Sequence, residues 1–206
     1  MSSIERDLYS CFRTTLEMIE DRGFFVGEEL KNTLKDNFGP YIEKYNQENG
    51  FILLFSHLED DQNRLIVYFY KSEKAVSVDD VKRFATKLGE EKILTGIFIT
   101  LKELSPSADR LVKEINSESN FYMEHFLISS LVINITHHEL VPKHEIVSED
   151  EKQTVLKKYM AKESQLPKIL ISDPIAKYLG ARRGQLIKIM RPSETAGLHA
   201  FYRLTV

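Results

Sequence analysis

QLIKIMRPSETAGLHAFYRLTV, residues 185–206, decides how the end of this chain folds. QLIKIMR (185–191) reads as a strand, with Leu186, Ile187 and Ile189 apolar and Lys188 turned outward. HAFYRLTV (199–206) is its natural partner. The segment between them, RPSETAG (191–197), holds a serine, a glutamate, an arginine and a glycine, so it is either a reaction centre or a turn. Pro192 fixes φ, Ser193 and Thr195 can bond local backbone, and Gly197 can supply a positive φ. A serine nucleophile needs a base within reach and usually a sharp strand-to-helix elbow. RPSETAG has no GxSxG pattern and no helix after it, and His199 is directed elsewhere along its strand. The segment therefore predicts a hairpin connection.

Working upstream, Asp173-Pro174 pairs a cap with a proline at the helix start, and Gly180 ends the short helix IAKYL. Leu166-Pro167 breaks the chain. Ser148-Glu149-Asp150-Glu151 forms a capping box for a helix on which Val155, Leu156 and Tyr159 face inward. Two short helices and a small sheet make this end an α+β unit.

The longer N-terminal part alternates strands with helices, which argues for an α/β unit of about 135 residues. Ser2 caps a first helix with Glu5 three positions on, and Ile4, Leu8, Phe12, Leu16 and Ile19 form one apolar stripe that stops at Gly23. A shorter helix spans Glu28 to Asp36 and ends before Gly39-Pro40. FILLFS (51–56), RLIVYFY (64–70), TGIFIT (95–100) and LVINIT (131–136) read as strands. Ser77 caps a helix with Asp79 and Asp80 in its first turn, burying Val81, Phe84 and Leu88 and stopping at Gly89. Ser105-Pro106 opens another through Leu111 and Ile115. His137–Lys143 is a hinge between the two parts.

No apolar run approaches the roughly 20 residues that span a bilayer, and the charged start MSSIERDLYS lacks the apolar core of a secretory signal. Cys11 is the only cysteine, which excludes an internal disulfide and a cysteine-based zinc site and fits a reducing compartment. Net charge is −3, unevenly spread. Residues 140–206 hold 12 Lys and Arg against 7 Asp and Glu, a balance of +5, while 1–139 hold 16 against 24, a balance of −8. The sign change suggests two units with different surroundings.

Candidate chemistry is sparse. The nine glycines form neither GxGxxG nor GxxxxGK[ST], so no phosphate cradle is present. His137, His138 and His144 with Glu139 and Glu145 are the one histidine cluster, but adjacent histidines on an extended chain point to opposite faces, against a metal site. Glu59-Asp60-Asp61 before a strand ending at Lys71 is similar to the acid and acid-x-lysine pattern of metal-dependent nucleases. However, the position two before Lys71 is Phe69, not a carboxylate.

The words of the C-terminal part go further. LVINITHHELVPKHEIVS (131–148), KESQLPKILISDPIAKYLGARRGQLIKIMRPSETAG (162–197) and the terminal YRLTV closely resemble the fifth subunit shared by eukaryotic nuclear RNA polymerases I, II and III. The small archaeal RNA polymerase chain of the same family resembles this part alone. FRTTLEMIEDRGFFV (12–26), TGIFIT (95–100) and LSPSADRLV (104–112) look like landmarks of the eukaryotic form. The resemblance implies a nuclease-like α/β jaw domain without nuclease activity, 1–138, and a small α+β assembly domain, 139–206. The jaw would lie beside downstream duplex DNA. The family's Thr-Pro-Ser-Ala loop approaches that DNA and reads Ser105, Pro106, Ser107 and Ala108 here, keeping the hydroxyl. The assembly domain would dock on the largest subunit, with Arg182, Arg183, Lys188, Arg191 and Glu194 as its polar contacts. The resemblance thus implies a nuclear, non-catalytic subunit of RNA polymerase with no cofactor, no metal and no membrane. The alternatives are an active metal-dependent nuclease and a virus-encoded homologue. Residues 37–95 carry few recognisable words and no assigned role.

Overall fold

The computed structural model describes residues 3–36, 38–60, 62–72, 74–118, 121–193 and 197–206. Mixed α and β elements form two compact units, Met1–Ile133 and Asn134–Val206.

In the first unit, helix α1 (Ser3–Asp21) buries Leu8, Phe12, Leu16 and Ile19, the predicted stripe, with Cys11 and Met18 beside it. The expected Ser2 cap lies outside the described residues. Gly23 takes a φ of +85°, and Phe24 N donates back to Ile19 O, closing the helix as a left-handed residue allows. Helices α2 (Glu28–Asp36) and α3 (Gly39–Gln47) follow. α2 ends before Gly39-Pro40 as the sequence predicts, and Gly39-Pro40 opens a further helix, α3, because proline costs nothing in a first turn whose N–H groups have no partner.

Strands β1 (Gly50–Ser56) and β2 (Arg64–Tyr70) pair antiparallel. Helix α4 (Val78–Glu90) leads to β3 (Thr95–Thr100) and helix α5 (Pro106–Glu118) to β4 (Tyr122–Leu127), both strands parallel to β2, in the order β1-β2-β3-β4. Alternation splits the sheet's side chains between two layers. Ile66, Phe98 and Met123 pack against Val81, Phe84 and Leu88 of α4 and Ala108 and Val112 of α5. On the other face Phe12 of α1 meets Phe51 and Phe69, whose rings stack at 4.7 Å. Gly50 permits the β1–β2 approach: its φ is +132°, and a Cβ there would lie 2.0 Å from Phe69 O.

LVINIT (131–136) is not a strand. Residues 128–130 and 135–137 are single 3-10 turns, and β4, unforeseen, occupies the sheet edge. Asn134 explains the first difference: its Oδ1 accepts from Thr136 N and Oγ1, while Nδ2 donates to Tyr178 Oη. A buried amide that satisfies local backbone competes with a ladder. His137 therefore ends a 3-10 turn and does not lie on extended chain.

In the second unit β5 (Lys143–Ile146), β6 (Lys168–Ile169), β7 (Leu186–Ser193) and β8 (Gly197–Thr205) form a sheet in the order β5-β7-β8-β6. β7 and β8 pair antiparallel from Leu186–Leu204 to Ser193–Gly197, so RPSETAG does lie in a hairpin; residues 194–196 lie outside those described. Gly197 has φ +68°, as its role required. Helix α6 (Glu149–Tyr159) is capped by Ser148, and α7 (Pro174–Tyr178) by Asp173, whose carboxylate accepts from Ile175 N and Ala176 N. Val155 of α6 is buried as expected, but Leu156 is half-buried and Tyr159 half exposed; Lys152 takes the inner position instead.

Candidate functional site

The segment Ser105–Ala108 opens α5. Val76 N donates to Glu103 O (3.1 Å) and Ser105 N to Val76 O (3.0 Å), so the approaches to α4 and α5 are bridged. Both N-termini therefore start beyond the C-terminal ends of the central strands β2 and β3, but they are not equivalent. At α4, Ser77 N and Oγ donate to Asp80 Oδ2 at 3.0 and 2.7 Å, and Tyr70 Oη donates to Asp80 Oδ1 at 2.8 Å. Partial burial works against the Asp80 charge, yet these hydrogen bonds prevail and hold its carboxyl below the ordinary value. That helix start already carries an anion.

At α5, Ser105 Oγ accepts from Ala108 N at 3.3 Å, and the first-turn acid Asp109 is paired with Lys113 at 2.6 Å. Pro106 and Ser107 are exposed, Ser105 is half-buried, and Ala108 is fully buried in the α4–α5 core. Of the four predicted positions, two face solvent directly, with Lys102 and Arg110 exposed nearby in sequence.

The predicted docking residues do not gather on one face. Arg182 and Arg183 are exposed in the turn between α7 and β7. Lys188 is half-buried, and its Nζ lies 3.4 Å from Glu151 Oε1 of α6. Arg191 is exposed near the far end of β7, its guanidinium 5.6 Å from the Phe201 ring centroid. Residues 188 and 191 differ by an odd number, so their side chains leave opposite faces of the sheet. Glu194 lies outside the described residues. Exposed apolar Leu198 and Phe201 on β8 stand with Arg191 on the hairpin.

Lys152, which sequence reasoning missed, organises the arginine turn. Its side chain is 7% exposed, and Nζ donates to Gly184 O (2.9 Å) and pairs with Glu163 (2.9 Å) and Glu149 (3.4 Å). Arg182 N donates to Gln185 Oε1 at 2.6 Å, closing the same turn. The hydrogen bond to Glu163 leads the forces holding the Lys152 ammonium above its ordinary pKa. The available signal was spacing: Lys152 sits three residues before Val155, on the stripe that a helix turns inward.

The nuclease pattern does not converge. Asp60 precedes β2 and Lys71 follows it, so the length of a seven-residue strand, roughly 20 Å, separates them. Asp61 lies outside the described residues. Phe69 is fully buried, and Lys71 Nζ donates to the neutral Asn46 Oδ1 at 2.9 Å beside a cavity of about 260 Å³ walled by Leu8, Ile42, Tyr45 and Leu101. The histidines are engaged locally: His138 Nδ1 accepts from Leu140 N, and His144 Nδ1 donates to Pro142 O. Among the described residues, no three His, Cys, Asp or Glu side chains are grouped to hold a metal ion.

Residues 3–88 match the family described as RNA polymerase Rpb5, N-terminal domain, and residues 133–205 match RNA polymerase Rpb5, C-terminal domain. A Caenorhabditis briggsae protein named DNA-directed RNA polymerases I, II, and III subunit RPABC1 is 36% identical, with 100% of both chains covered. The chain belongs to the RNA polymerase Rpb5 family. The same name belongs to relatives in Caenorhabditis elegans, 35% identical, and Dictyostelium discoideum, 33% identical, again across both full lengths. The two Rpb5 matches leave residues 89–132 between them. The Ser105 loop therefore lies outside both matched domains, although the full-length relatives span it. Both Arg182 and Arg183, by contrast, lie inside the Rpb5 C-terminal match.

Proposed function

We propose that this chain is a non-catalytic subunit shared by RNA polymerases I, II and III, working in the nucleus. The end-to-end likeness to chains named for that role carries the reading. The roles divide between a jaw domain, 1–138, and an assembly domain, 139–206. The assembly domain docks on the largest subunit, and its basic balance suits an acidic partner surface. Arg182 and Arg183, exposed in a turn braced by Lys152, are its first contacts, with the Arg191 hairpin beyond.

The jaw lies beside downstream duplex DNA. With a balance of −8 over residues 1–139, its contact has to be local. Ser105 and Ser107 meet phosphate at the start of α5, where backbone N–H groups and the helix dipole favour an anion. The start of α4 does not compete, since Asp80 fills it. Contact is to backbone and carries no sequence information, as an enzyme moving over every sequence requires. In assembled polymerase, Ser107→Glu is expected to shorten retention of downstream DNA, and Arg182→Glu with Arg183→Glu to weaken recovery of the largest subunit. Unchanged retention would remove the DNA role; unchanged recovery would remove the docking role.

A further inference from the structure

We infer that His125 and Thr100 are positioning residues for the DNA-facing loop, holding 101–105 in the conformation that presents Ser107. This inference rests on the reading of that loop given above. β3 ends at Thr100, and five residues later the chain enters α5. Thr100 is fully buried, yet its hydroxyl is doubly engaged: Oγ1 donates to Lys102 O at 2.6 Å and lies 2.7 Å from His125 Nε2. A hydroxyl has one proton, and here it goes to the Lys102 carbonyl. The contact with His125 is therefore made by an Nε2–H that donates to Thr100 Oγ1. A three-member relay runs from the edge strand β4, through the end of β3, to the second residue of the loop.

The register places this relay where it can act. His125 lies opposite Phe98, two residues before Thr100 on the same face of β3, the face that carries α4 and α5. Two backbone bonds, Val76–Glu103 and Val76–Ser105, tie the far end of the loop. The relay ties its near end, at Lys102. Removing it leaves the bridge intact and frees Leu101 and Lys102 to turn, which moves the start of α5 relative to whatever it faces. No charge on the exposed surface changes, so the effect differs from that of deleting a basic contact.

Polymerase assembled with each variant chain is tested for the lifetime of downstream duplex in halted complexes, over a range of salt. The thermal midpoint of each free chain is measured alongside. His125→Leu and Thr100→Val are expected to shorten that lifetime by about threefold to tenfold, the effect of one lost hydrogen bond. They should also flatten the salt dependence by about the one phosphate that the loop holds. His125→Gln, whose amide can donate from nearly the same place, and Thr100→Ser, which keeps the hydroxyl, are expected to restore both. Equal lifetimes for His125→Leu, Thr100→Val and the unaltered chain would overturn the relay. So would losses that the conservative pair reproduces, since those follow the fold and not the hydrogen bonds. Ser107→Glu separates the two levels: if it shortens the lifetime while the relay variants do not, the relay alone fails. If it too has no effect, the DNA reading fails with it.

Discussion

Breaking the ion pair between Arg22 and Glu124 tests how the first unit is held together. Arg22 follows α1, and Glu124 is the third residue of β4, on the face that α1 covers. The contact is bidentate, with Nη1 to Oε1 at 3.0 Å and Nη2 to Oε2 at 2.8 Å, and the side chains are 6% and 8% exposed. Arg22→Met leaves a carboxylate buried without its counter-charge, a loss of about 3–5 kcal/mol. An exposed pair would lose no more than about 1 kcal/mol. With a urea dependence of about 2 kcal/mol per molar, the midpoint of the first unit should fall by about 1.5–2.5 M. Adding Glu124→Met to Arg22→Met removes both charges and should return most of that loss, because well-packed apolar pairs often match a buried ion pair. The assay is urea unfolding followed by tyrosine fluorescence and by amide hydrogen exchange on β4, with Arg22→Met, Glu124→Met and the double variant forming a double-mutant cycle. A single-variant loss below about 1 kcal/mol, or a double variant as unstable as Arg22→Met, would refute the assignment of this pair as a desolvated clamp.

Other consequences are smaller or simpler to read. Gly50→Ala places a Cβ on the Phe69 carbonyl and should cost about 3 kcal/mol or more, measured by the same unfolding assay. Lys152→Met should destabilise the second unit by about 3 kcal/mol and raise hydrogen exchange at Gly184 and Gln185, whereas Lys158→Met should do neither. Ser77→Ala should cost about 1 kcal/mol through the α4 cap. Burial pushes the Cys11 thiol from 9.0 up to about 12, and burial with the nearby Cys11 pushes the Tyr45 phenol from 10.0 to about 12. The fold keeps protons that the unfolded chain releases, so stability should hold below pH 9 and fall from there towards pH 12. The slope should reach about 1.4 kcal/mol per pH unit for each group, and Cys11→Ala should remove the earlier part of the fall.

The elements legible in the sequence are those whose local chemistry and burial agree. α1 shows a clean apolar stripe ended by Gly23, β7 and β8 form the hairpin that the alternating pattern predicts, with Pro192 and Gly197 near the paired strand ends, and α7 carries its own cap and proline. β4 was hidden because YMEHFL places a glutamate and a histidine in mid-strand. Those two are acceptable only because Arg22, 102 residues away from Glu124, and Thr100 meet them, and no local pattern records a distant partner. LVINIT misled for the opposite reason, as an apolar run with good strand propensity that a single buried asparagine diverts into turns. The candidate sites divide in the same way. Capping chemistry at Ser105 could be read directly, whereas the separation of Lys188 from Arg191 depends on strand pairing, and the bracing of Arg182 and Arg183 depends on a lysine one helix away.

The most direct measurement is purification of the epitope-tagged chain from its own cells under native conditions, with quantitative mass spectrometry of what comes with it. The account predicts the largest subunits of RNA polymerases I, II and III, together equimolar with the tagged chain, and no divalent-cation-dependent cleavage of DNA by the chain alone. Recovery without any polymerase largest subunit, or DNA cleavage abolished by changing Asp60 and Lys71, would contradict it.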